Sequence, residues 1–216
     1  MTGARVTSKG KITVGVADTG SGNLRSVEKA LTLAGADVVV TSDADRLARV
    51  DKLVVPGQGA FGGCVSGLDR DGGALRAVVM EAIKAGKPFF GICIGMQVLF
   101  ETSEEDPTSR GLGVFAGSVR RIPAAPGLKI PHMGWNRTRR GPATHDALAA
   151  TADGTFFYFV HSYYPHPARA EDAALSTEHG VTFCVAVARD NVFGCQFHPE
   201  KSQAAGQALL RRFVAS

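Results

Sequence analysis

Cys93 stands in Gly91-Ile92-Cys93-Ile94-Gly95-Met96-Gln97, just past the apolar run Pro88–Ile92. A nucleophile with glycines two residues to either side, at a strand-to-helix junction, is the pattern of a nucleophile elbow, here with sulfur as the attacking atom. The sharp turn forces the central residue into a strained backbone conformation. It also presses its neighbours against the adjoining strand and helix, so that side chains at 91 and 95 would clash. The sulfur is then pushed out at the carboxyl end of a sheet, where α/β proteins bind ligands. A helix N-terminus behind it favours thiolate, the form that attacks. A free cysteine in an apolar stretch is more often a small core residue, but a packing role requires neither glycine.

Acyl chemistry on a thiolate also needs a base, a group to orient that base, and donors for an oxyanion. Gly194-Cys195-Gln196-Phe197-His198-Pro199-Glu200-Lys201-Ser202 offers the first two. Pro199 biases His198 toward an extended conformation, and two-residue spacing in extended chain puts His198 and Glu200 side by side. Glu200 then holds one ring nitrogen and leaves the other for Cys93. Val55-Pro56-Gly57-Gln58-Gly59 ends another strand and offers the donors: the amide of Gly59, or of Gln58 after a peptide flip, with that of Ile94. Alone, it reads as an ordinary Pro-Gly turn.

The elements that must carry these residues alternate. Strands are expected at 12–17, 37–41, 52–55 and 88–92, and helices from Asn23 to Gly35, from Leu75 to Lys84 and from Met96 to about Glu101. The strands are nearly continuous apolar runs, the sign of a parallel sheet covered on both faces. Beyond residue 113 the pattern becomes strand after strand, at 114–121, 129–137, 156–160, 173–177, 182–188 and 192–197, before a last helix at about 203–214. The expected fold is α/β and flavodoxin-like: a mostly parallel central sheet flanked by helices, with additional antiparallel strands in the C-terminal half. Residues 1–11 are expected to be a disordered or loosely attached leader and 12–216 a single domain.

A hydrophobic content of 44% supports a substantial core, and a net charge of +4 spread along the chain reads as a solvated surface rather than a nucleic-acid site. The cysteines at 64, 93, 184 and 195 form no CxxC pair, which argues against a zinc or dithiol site and for a reducing, cytoplasmic compartment. The longest apolar runs are too short to span a bilayer.

GICIGMQ at 91–97 and FHPEKS at 197–202 together resemble the triad-type (class I) glutamine amidotransferase family. Four further stretches are similar to one branch of it, the glutaminase subunits of imidazole glycerol phosphate synthase: Asp18–Val27, Val55–Phe61, PHMGWN at 131–136 and YFVHSYY at 158–164. The resemblance implies that Cys93 attacks the carboxamide of glutamine, that His198 is the general base and acid, and that Glu200 orients it. It places Gly57, Gly59, Gln97, Ser162 and Tyr163 at the substrate and Trp135, Asn136, Tyr158 and Lys201 at a partner interface. The implied partner is a (β/α)8-barrel cyclase forming a heterodimer, to which ammonia is delivered in histidine biosynthesis, with no metal or organic cofactor. The Pro56–Gly59 stretch is the implied switch, its donor turned inward only in the active complex. Glutaminases of anthranilate, aminobenzoate or pyridoxal phosphate synthesis are the nearest alternative; a non-catalytic module of the same fold, or a cysteine peptidase, is further off. Two departures stand out: Asp18-Thr19-Gly20, where the family commonly has Asp-Tyr-Gly, and Gln58, where it often has Val.

Overall fold

The computed structural model describes residues 10–216. Residues 1–9 of the expected leader lie outside that range. In chain order the described elements are β1 Thr13–Ala17, α1 Leu24–Leu33, β2 Asp37–Thr41, α2 Ala44–Ala48, β3 Lys52–Gly57, α3 Phe61–Lys84, β4 Phe89–Cys93, α4 Ile94–Gln97, β5 Phe100–Ser103, β6 Phe115–Arg121, β7 His132–Arg137, β8 Arg139–Arg140, β9 Phe156–His161, β10 Tyr163–Pro167, β11 Ala173–His179, β12 Val181–Arg189, β13 Val192–Cys195 and α5 Gln203–Ala215.

The main sheet runs β2-β1-β3-β4-β13-β12-β11-β8. Its first five strands are parallel and the rest antiparallel. Every residue of β3, β4 and β13 is buried, as continuous apolar strands covered on both faces require. Phe90 of β4 packs against Phe193 of β13 and Phe213 of α5, at centroid distances of 5.0 and 5.3 Å. A second sheet runs β10-β6-β5, and β7 pairs with β9 as a separate antiparallel ribbon. The mostly parallel sheet with added antiparallel strands is the architecture that the sequence pattern implies.

Several elements differ from expectation. The helix expected from Met96 to about Glu101 is one turn, α4, and Phe100–Ser103 is instead a strand. Pairing with β6, and stacking of Phe100 on Phe115 at 5.8 Å, overrides the local helical pattern. The helix expected from Leu75 to Lys84 is present, but a further helical segment starting at Phe61, not expected from the sequence, precedes it in α3, the two set apart by non-helical backbone at Arg70–Gly73. Gly62, Gly63 and Gly67 lower helix propensity there, but Gly67 is sterically required. A Cβ on Gly67 would sit 2.0 Å from the Thr19 carbonyl oxygen. Helix α2 and strand β10 are too short to show a clear period. No helix among the described residues is long and apolar enough to cross a membrane.

Candidate active site

Cys93 is the last residue of β4 and the cap of α4, with φ 55° and ψ −111°, a conformation that L residues rarely adopt. Close approach holds it there. A Cβ on Gly95 would lie 1.7 Å from the Val55 carbonyl oxygen, and one on Gly91 would lie 2.5 Å from the Gly95 carbonyl oxygen. The bend is therefore a strained elbow with both glycines needed for packing. The helix behind it is a single four-residue turn, so the helix N-terminus expected to favour thiolate reduces to the amides of one turn.

β13 lies beside β4 with Cys195 opposite Ile92. The chain then leaves the sheet, and the His198 amide donates to the Tyr158 carbonyl of β9 at 3.0 Å. Ser202 Oγ accepts from the Tyr158 amide and donates to the His198 carbonyl, bracing the segment between the two. His198 itself is extended, as a residue before proline should be. Pro199–Lys201, however, forms a 3-10 turn rather than extended chain, and Glu200 meets His198 across that turn. His198 Nδ1 and Glu200 Oε1 are 2.8 Å apart, both side chains about 2% exposed. Burial pulls the His198 pKa down, but interaction with Cys93 and Glu200 outweighs it and leaves the imidazole raised to about 9. Its Nε2 has no hydrogen bond of normal geometry among the described residues. Cys93 is near enough to raise the pKa of the ring, but the contact falls short of full hydrogen-bond geometry, a looseness common in unliganded sites.

These groups open into a cavity of about 460 Å³, within the range of small-molecule sites. Gln58, Gly59, Ile94, Gln97, Ser162, Tyr163 and Lys201 line it together with Cys93 and His198. Gly59 has φ +94° and open space around its Cα, and a Cβ on Gly22 of the first loop would come within 3.8 Å of the Gln58 amide nitrogen. Gly57 is not among the lining residues. It pairs with Cys93 in the ladder, and a Cβ there would meet Ile94 Cβ at 2.7 Å. Gln97 is buried; its Nε2 donates to the Tyr163 carbonyl at 3.2 Å and to Gln196 Oε1 at 2.9 Å, while its own Oε1 has no partner among the described residues.

The expected partner residues divide by strand alternation. Met133 and Trp135 project outward from β7, 67% and 46% exposed. Trp135 faces Tyr158 across the ribbon at 6.2 Å, and Lys201 Nζ lies 6.0 Å from the Tyr158 ring centroid. Asn136 turns the other way. Its side-chain amide donates to the Glu178 carbonyl at 2.8 Å and bonds His132 Nε2 at 3.1 Å, so it belongs to the inner face.

That inner face holds a histidine chain which the sequence does not reveal. The Tyr163 carbonyl can only accept, so His161 Nδ1 donates to it at 2.8 Å. His161 Nε2 then accepts from His132 Nδ1 at 2.8 Å, and His132 Nε2 accepts from Asn136. Both rings are buried and neutral: desolvation, with a smaller push from His179, lowers His132 to about 4, and desolvation lowers His161 to about 3. Sequence reasoning also missed two residues nearer the sulfur. Glu105 lines the cavity and accepts from the Phe61 amide at 2.7 Å, but Ser103-Glu104-Glu105-Asp106 reads as a solvated charge run. Gln196 is fully buried, and a glutamine between Cys195 and Phe197 in an apolar strand end is the signal that was there to find.

An elbow cysteine and a histidine–carboxylate pair meet at the carboxyl ends of parallel strands, an arrangement chemically able to carry out thiol-dependent acyl transfer. Residues 16–216 match the class-I glutamine amidotransferase family, and the chain belongs to it. Its curated relatives carry a narrower name. The imidazole glycerol phosphate synthase subunit HisH of Dechloromonas aromatica is 49% identical over 94% of this chain and 95% of that protein. HisH of Acinetobacter baylyi is 43% identical over 93% of this chain and 97% of its own. Among solved structures, PurLQS from Thermotoga maritima is similar in fold, with TM-score 0.73 and 19% identity over 95% of this chain and 98% of that one.

Proposed function

We propose that this chain is the glutaminase subunit of an imidazole glycerol phosphate synthase. It hydrolyses glutamine and passes the ammonia to a (β/α)8-barrel cyclase subunit, which makes imidazole glycerol phosphate and an aminoimidazole carboxamide ribotide in histidine biosynthesis. The observation that carries this reading is the convergence of Cys93 and His198, the latter held by Glu200, on one cavity, in a chain similar to HisH subunits along nearly its whole length.

Cys93 Sγ adds to the side-chain carbonyl carbon of glutamine. The oxygen becomes an oxyanion, held by the amides of Ile94 and of Gly59 or Gln58. His198 gives its proton to the leaving nitrogen, ammonia departs, and a glutamyl thioester remains. Water then attacks with His198 as base, and glutamate leaves. Glu200 keeps the ring oriented and balances its charge. Gln97 Oε1, Glu105 and the Ser162–Tyr163 segment suit the ammonium and backbone of the bound amino acid. Rotation of the peptide at Gln58–Gly59, where glycine allows it, is the switch that ties hydrolysis to the partner. The outward face of β7 and β9, with Trp135, Tyr158 and Lys201, receives the barrel.

The test is to assay glutamine hydrolysis alone, with a barrel cyclase, and with the cyclase plus its nucleotide substrate. Strong stimulation in the last case is expected. Stimulation only by an anthranilate-type synthase would overturn the assignment.

A further inference from the structure

Gln196 is fully buried directly after β13, its backbone amide donating to the Val185 carbonyl at 2.8 Å. Its side-chain Nε2 lies 3.5 Å from Cys93 Sγ. The orientation of that amide follows from its neighbours. The Tyr163 carbonyl accepts only, so Gln97 must turn its Nε2 toward it. The same Nε2 faces the Gln196 amide at 2.9 Å, so Gln196 must answer with Oε1. Its donor is then left facing the sulfur, and reversing either amide would set like groups against each other.

We propose that Gln196 is a fourth residue of the catalytic machinery, a fixed N–H donor that positions Cys93 Sγ and balances its negative charge opposite His198. This rests on the glutaminase reading and extends it. Carbonyl, Gln97 and Gln196 form one rigid chain from the cavity wall to the nucleophile, so Gln97 couples the substrate pocket to the sulfur as well as lining it. A neutral buried cysteine has little need of a charge-grade donor; a thiolate, and the sulfur leaving the thioester, both do. The other titratable groups around the sulfur are His198 with Glu200 behind it; Glu105, Lys201, Tyr163 and His161, which line the same cavity, the last kept neutral by burial; and the thiols of Cys64 and Cys195, which burial pushes up to about 12 and well above the ordinary value respectively.

The experiment measures iodoacetamide alkylation of Cys93 against pH, and glutaminase kcat and KM, in the complex with the barrel cyclase. Gln196→Glu keeps the acceptor for Gln97 but sets oxygen against sulfur; Gln196→Met removes the donor at similar volume. Both are expected to slow alkylation and lower kcat by about 10- to 150-fold, the range for a hydrogen bond to a charged group. The alkylation midpoint should move to higher pH, with KM changing much less in Gln196→Glu. Wild-type rates and midpoint in both folded variants would overturn the proposal. Should neither variant fold, a crystal structure of the alkylated wild-type complex decides: the Gln196 amide still directed at sulfur supports it, and an amide turned away overturns it. If wild-type Cys93 itself is neither labelled nor needed for hydrolysis, the glutaminase reading has failed instead.

Discussion

Glu200→Gln changes one charge inside a buried pair and little else. The carboxylate lies 2.8 Å from His198 Nδ1 with both groups about 2% exposed, so solvent does little to screen the contact. The wild-type ring is raised from 6.5 to about 9, against burial, by Cys93 and Glu200 acting together. At 1.36 kcal/mol per pH unit, that is on the order of 3 kcal/mol. A raised pKa gives stability that is fully present below pH 6.5 and lost as pH rises through about 9. The neutral amide fills the same space but cannot balance an imidazolium. Its loss should remove about 1.5–3 kcal/mol, the usual weight of a charge-assisted hydrogen bond. In steady-state glutaminase assays with the cyclase bound, kcat/KM should fall about 10- to 150-fold. Denaturant unfolding at pH 6 and pH 10 should show a smaller stability difference in the variant than in the wild type. A kcat/KM within about threefold of wild type, with that difference intact, would refute the role given to the carboxylate.

Cys93→Ala should abolish glutamine-dependent synthesis by the complex while ammonia-dependent synthesis persists; loss of both would show that this subunit does more than supply ammonia. Gly95→Ala forces a Cβ to within 1.7 Å of the Val55 carbonyl oxygen, so a loss of about 3 kcal/mol or more is expected, read as a thermal midpoint lower by about 6–12 °C. Neutral His132 and His161, lowered to about 4 and about 3, leave the unfolded chain binding more protons below pH 6.5. Stability should therefore drop as pH falls from 6.5 toward 4, and less steeply in His132→Gln, as measured by urea midpoints across that range. Trp135→Ala, at an exposed ring, should weaken cyclase binding by about 2–4 kcal/mol in calorimetry and leave the isolated chain's melting point unchanged.

What the sequence made legible follows from how local each cause is. Glycines spaced around Cys93 announce an elbow because the bend is built from adjacent residues; the Gly91 clash with the Gly95 carbonyl is local, but the Gly95 clash with the Val55 carbonyl of β3 is not. His198 and Glu200 are two apart, and only the shape of the link between them, a 3-10 turn rather than a strand, went unread. The one-turn helix α4 was overestimated because the pairing of β5 with β6 is a long-range contact that local periodicity cannot show. Asn136 was placed outside with Trp135, although neighbours on a strand face opposite ways. Glu105, Gln196 and the His132–His161 pair owe their contacts to segments distant in sequence, and no spacing rule reaches across them.

The claim on which the rest depends is covalent attachment at one thiol. Rapid quenching of the cyclase complex during glutamine turnover, followed by peptide mass spectrometry, tests it directly. A single glutamyl adduct on the Cys93 peptide is expected, with Cys64, Cys184 and Cys195 unmodified and the adduct lost in Cys93→Ala. Glutamine hydrolysis at full rate in that variant, or an adduct on another cysteine, would contradict it.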